Sequence, residues 1–155
     1  LTIIVSFEVG QKNILSAIQY SKIGILTSFI IAVVTLVCLA INLTTIASFY
    51  GSEEEFIKLT IQFLAYSLLF QLFDAIAAPI QGILRGFKDV QMPFILFLIG
   101  YWIIGLPIGF ILDNAFNAGP YSYWIGLIIG LMSSCIFLVF RLRKVFKKYK
   151  ETRGV

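Results

Sequence analysis

Asp74 is the side chain whose type and position most demand chemistry. It stands near the middle of Leu59–Leu84, a run with no other charged residue. An ionised carboxylate at the centre of a bilayer costs roughly 2.5–3.5 kcal/mol on insertion scales. Such a group persists where a partner, water or a bound cation meets it, so it reads as a point on an ion or proton pathway. At about 100° per residue, Thr60, Ser67, Gln71, Asp74, Gln81 and Arg85 fall within about 80° of one another. Lipid cannot satisfy a polar stripe of this kind, which must face other helices or a watery cavity. Gln71, Ser67 and Gln81 are the candidates for lining that cavity beside Asp74. For Thr60 and Ser67 the plainer role is hydrogen bonding to neighbouring helices, at about 0.6 kcal/mol each.

Pro79 follows Asp74 by just over one turn and has no N–H, which leaves the carbonyl of Ala75 without its helical partner. A freed carbonyl beside a carboxylate suits a proton, a water or a cation such as sodium. A simple kink explains the proline equally well. Other chemistry is scarce. The sequence has no His, the commonest acid–base catalyst and metal ligand. Cys38 and Cys135 fall inside apolar runs and read as small apolar residues. With no glycine-rich phosphate loop either, no enzyme, cofactor or metal centre is expected beyond a sodium site at Asp74.

The elements that position Asp74 follow from run length. Hydrophobic residues make up 59% of the sequence and charged ones 13%, against about 25% charged in a typical soluble domain. Four nearly charge-free runs each reach the ~20 residues needed to cross ~30 Å of hydrocarbon. They predict an all-α integral membrane protein, one membrane domain over 1–155, with helices near 23–48, 58–84, 93–112 and 121–140 and a basic tail over 141–155. If the spans alternate, Lys12, Lys22, Arg85, Lys88 and the basic residues from Arg141 to Arg153 share one side. Lys58 alone falls on the other, beside Glu53, Glu54 and Glu55. By the positive-inside rule both ends are cytoplasmic. The net charge of +4 then reports topology rather than nucleic-acid binding. Phe49, Tyr50, Tyr121, Tyr123 and Trp124 suit the outer interface.

Packing devices occupy the third and fourth spans. Gly100, Gly105 and Gly109 flank Pro107, predicting a bend and a close helix contact. Gly126 and Gly130 form a GxxxG pair extended by Ser134. Pro93 suits the first turn of the third span, and Arg85 and Asp89 are placed to pair at the cytoplasmic surface.

Several strings in unbroken order then resemble one family. Gln71-Leu-Phe-Asp-Ala, Gly82-Ile-Leu-Arg-Gly, Lys88-Asp89-Val-Gln-Met-Pro93 and Gly100-Tyr-Trp-Ile-Ile-Gly-Leu-Pro-Ile-Gly109 are similar to the multidrug and toxic compound extrusion (MATE) transporters, in their bacterial NorM-like branch. Trp124-Ile-Gly-Leu-Ile-Ile-Gly130, Arg141-Leu-Arg143 and Val9-Gly-Gln11 extend the resemblance over essentially the whole chain. It implies the end of the eighth helix and the last four helices of a twelve-helix transporter in a bacterial cell membrane. Such proteins export cationic, lipophilic drugs by antiport with sodium or protons. By position, Asp74 corresponds to the family's cation-coupling acid on the tenth helix. The second carboxylate of that cluster belongs to a helix with no counterpart here. Residue 1 is Leu, and the apolar Leu1–Phe7 is too short to cross a membrane, so the chain reads as a carboxy-terminal fragment whose partners are the missing amino-terminal helices.

Three alternatives are weaker. Small four-helix oligomeric exporters carry their essential acid in the first span, which has none here. Lipid-linked saccharide flippases of the same superfamily line their cavities with basic residues, absent from these spans before Arg85. A membrane anchor or assembly subunit explains four helices but not a central Asp.

Overall fold

The computed structural model describes residues 1–51, 53–117 and 119–151. Its regular elements are helical throughout: α1 (Thr2–Gly10), α2 (Ile14–Ile41), α3 (Leu43–Ser48), α4 (Glu54–Gly86), α5 (Gln91–Leu98), a π-helical stretch (Ile99–Gly105), α6 (Leu106–Phe116) and α7 (Pro120–Glu151). Counting α5, the π-helical stretch and α6 as one, four helices among the described residues are long and apolar enough to cross a membrane.

Their ends follow local chemistry. Asn13 caps α2, its side chain accepting from the Ser16 N–H at 3.5 Å. The first turn of α4 holds Glu54 and Glu55 and its last turn Arg85, which matches charge to the helix dipole at both ends. Its exit is a tight reversal: Lys88 adopts φ 64° and the Asp89 N–H reaches back to the Leu84 carbonyl at 2.9 Å. At the end of α6, Asn117 takes φ 51°, and its N–H closes on the Asp113 carbonyl at 2.8 Å.

The first span differs from expectation. It starts at Ile14 rather than near 23 and ends at Ile41, while residues 43–48 form the separate helix α3. Lys22 marks where apolar sequence begins, but a helix continues past a charge that can reach water. The break follows Asn42, whose Nδ2 donates to the Cys38 carbonyl at 2.8 Å. The region 141–151, expected as a tail, is a direct continuation of α7, and residues 152–155 lie outside the described part.

The core sits at one end of the bundle. Val5, Ala17, Ala77, Ile80, Ile83, Leu84, Leu131 and Leu138 are fully or almost fully buried, joining α1, the start of α2, the end of α4 and the middle of α7. The other half of α2 is exposed along Leu26, Ile30, Ile31 and Val34. α7 packs against α4 on one side and against the third span on the other, so it forms the spine of the fold.

Candidate functional site

Asp74 lies one turn beyond Ala77, where the buried core ends. Asp74 and Gln71 are exposed, while Ser67, Gln81 and Pro79 are half-buried. Among the described residues the stripe therefore does not converge into an enclosed cavity. Its acid and the neighbouring amide face outward from the helices described. Gln81 accepts from Arg85 Nη2 at 3.2 Å, and Thr60 returns its hydroxyl to the Phe56 carbonyl at 2.8 Å. Pro79 sits inside a helix that runs unbroken to Gly86, so the Ala75 carbonyl beside Asp74 receives no N–H from position 79. In the π-helical stretch, the ring of Tyr101 stacks on Phe97 at 6.0 Å.

The π-helical stretch has a local cause. Pro107 cannot donate to the carbonyl of Ile103, and its ring crowds that carbonyl. The Leu106 N–H instead reaches the Tyr101 carbonyl, five residues back. The sequence indicates a bend here but not this wider turn.

Glycines let the third span meet α7 backbone to backbone. A Cβ at Gly126 would lie 2.5 Å from the Gly105 carbonyl oxygen and 2.9 Å from Gly109 Cα, and one at Gly130 would lie 2.8 Å from the Gly100 oxygen. A Cβ at Gly100 would collide with Ser134 Oγ. At Gly109 the space is wider, with Tyr123 Cα 3.3 Å away. Pro107 itself is exposed.

Two arrangements escaped the sequence. Asp89 does not pair with Arg85. The reversal at Lys88 takes Asp89 off the α4 helix, so the i,i+4 arithmetic fails, and Asp89 Oδ2 instead meets Arg141 Nε at 2.6 Å. Tyr149 adds a second clasp, donating to the Phe87 carbonyl at 3.0 Å. At the opposite end of α4, Tyr121 donates to Gln62 Oε1 at 2.8 Å and stacks on Phe63 at 5.2 Å, with Trp124 6.1 Å from Phe63. The signal was present in the spacing of Gln62, Phe63 and Tyr66 along α4 opposite Tyr121 and Trp124.

Among the described residues no three acids or cysteines gather as a metal cluster. Asp74 supplies one carboxylate, with Gln71 one turn before it and the Ala75 carbonyl next to it. That set can take one proton unaided. A sodium ion would need further oxygens. Cys135 is buried and Cys38 exposed, both as thiols.

The MatE family model matches residues 1–111. "Probable multidrug resistance protein NorM" of Halalkalibacterium halodurans is 47% identical over 151 residues, covering 97% of this chain and 33% of that protein. The protein of the same name from Bacillus subtilis is 42% identical over 155 residues, covering 100% of this chain and 34% of the relative. The chain thus spans about a third of the length of these relatives. In structure it superimposes on the crystal structure of the eukaryotic MATE transporter AtDTX14 with a TM-score of 0.83 at 19% identity, over 97% of this chain and 35% of that one.

Proposed function

The chain belongs to the MatE family, and from that membership we propose that it forms the cation-coupling part of a multidrug exporter, with Asp74 as the coupling carboxylate. Its relatives bear the name multidrug resistance protein, and its fold is that of a MATE transporter. The observation that carries the reading is the exposed Asp74 in mid-span, at the edge of the core and beside an undonated carbonyl.

The mechanism follows from charge. A membrane carboxylate must be neutralised to be tolerated, by a proton, a sodium ion or an organic cation. Capture of the inorganic ion from outside displaces a cationic drug from Asp74, and arrival of drug from inside displaces the ion. Each occupant therefore travels against the other. Gln71 supplies an amide dipole beside the acid, with Gln81 and Ser67 further along the same stripe. Because the exposed face of Asp74 needs cover, helices outside this segment complete the cavity, and alternating access arises as they rock against this bundle. Both ends of the chain lie on the cytoplasmic side in this reading, as the basic residues ask.

The test is dye efflux in cells. Residues 1–155 replace the matching third of the Bacillus subtilis relative, and ethidium, a lipophilic cation, is followed by fluorescence. Cells carrying this complete transporter are expected to hold several-fold less dye than vector-only cells, and an ionophore that collapses the driving ion gradient should erase the difference. Equal dye levels in the two strains would contradict the proposal.

A further inference from the structure

The cytoplasmic extension of α7 has a face whose chemistry changes with depth. α7 runs from Pro120 to Glu151, 32 residues, or about 48 Å of helix against ~30 Å of hydrocarbon. On one face Met132, Ile136 and Phe140 recur every four residues and are exposed, at 37%, 47% and 63%. Continued past Phe140, the same face carries Arg143, Lys144, Lys147 and Lys150, all exposed. Their spacing along the axis puts Arg143 about 4.5 Å and Lys147 about 10 Å beyond Phe140. A headgroup layer is about 5–7 Å deep on each side of the hydrocarbon. With Phe140 at the hydrocarbon boundary, Arg143 and Lys144 stand within it, while Lys147 and Lys150, about 10 and 15 Å out, lie beyond it and approach the phosphates only by bending their long side chains back.

The opposite face fixes the height of this arm. Leu138, Leu142 and Val145 are buried in the core. The rings of Phe146 and Tyr149 meet Phe87 at 5.6 and 5.0 Å, and Arg141 is held by Asp89. One acid, Glu151, lies on the cationic side, 3.7 Å from Lys147. A topology signal needs basic residues on one side of the membrane. It does not need them sorted onto the continuation of an exposed apolar stripe, on a helix clamped by its opposite face.

We propose that this face binds the phosphate headgroups of anionic phospholipids in the adjoining leaflet, seating the last helix against the membrane surface. The complete transporter described above, purified in detergent, is titrated with phosphatidylglycerol or phosphatidylcholine and bound lipids are counted by native mass spectrometry. Phosphatidylglycerol is expected to bind about tenfold better than phosphatidylcholine. That preference should fall by severalfold in a variant carrying R143Q, K144Q, K147Q and K150Q, and persist when the same positions exchange Lys and Arg. A control with K12Q and K22Q, basic residues outside α7, should keep it. Unchanged preference in the four-glutamine variant would overturn the proposal, as would equal loss in the control. Displacement of the lipid by millimolar inorganic phosphate would overturn it too, in favour of a free-phosphate site.

Discussion

Asp74→Asn in the complete transporter is expected to reduce drug efflux at least tenfold, leaving cells with the dye content of vector controls. Asparagine keeps the size and hydrogen bonding of the side chain but cannot change charge, so no ion exchanges for drug. A tenfold loss corresponds to about 1.4 kcal/mol of coupling, about half of the roughly 2.5–3.5 kcal/mol that a membrane carboxylate costs. Insertion should survive, since the substitution removes that cost. Membrane levels measured by immunoblot are expected to match wild type. Asp74→Glu, which retains the charge, should keep part of the efflux. Wild-type resistance in Asp74→Asn would remove Asp74 from the mechanism.

The second large effect concerns packing. Gly126→Leu must place a Cβ 2.5 Å from the Gly105 carbonyl oxygen and 2.9 Å from Gly109 Cα, where backbone rather than a flexible side chain is in the way. Further leucine carbons would have to push the third span off α7. Overpacking typically costs about 1–3 kcal/mol even where side chains can adjust, so the expected loss lies at or above the top of that range. Helix association in lipid rests on such close contact rather than on a hydrophobic driving force. Gly10→Leu is the control, since nothing lies within 4 Å of a Cβ there, and it should shift stability by about 0.5 kcal/mol or less. Thermal unfolding in detergent, read by circular dichroism, checks both. Equal melting of Gly126→Leu and wild type would contradict a seam closed by backbone contact.

Much of this was legible in the residues. Charge-free runs indicated the four spans because bilayer thickness sets a minimum length that sequence alone can meet. The glycines at 100, 105, 126 and 130 indicated close approach because an absent side chain has few other uses in a membrane helix. Helix ends were less legible. Lys22 marks the start of a charge-free run, but a lysine inside a helix reaches water without ending it. The Arg85–Asp89 pairing failed because it assumed a helix that the left-handed Lys88 terminates. The clasps from Arg141 to Asp89 and from Tyr149 to Phe87 span 52 and 62 residues of sequence, beyond the reach of any local pattern. For the site, the sequence indicated the polar stripe on α4 but not that Asp74 and Gln71 would face outward. That orientation depends on which side of α4 is covered by α2 and α7, and those contacts are set by the core at Ala77, Ile80 and Leu84.

Exchange at Asp74 is tested most directly by coupled flux. The complete transporter is reconstituted in liposomes, and a pulse of ethidium is added on one side in sodium buffer with a proton indicator, then repeated with a sodium indicator. Dye entry is expected to drive one of the two cations outward in the wild type and neither in Asp74→Asn. Dye-driven ion movement of equal size in both proteins would contradict the assignment of coupling to this carboxylate.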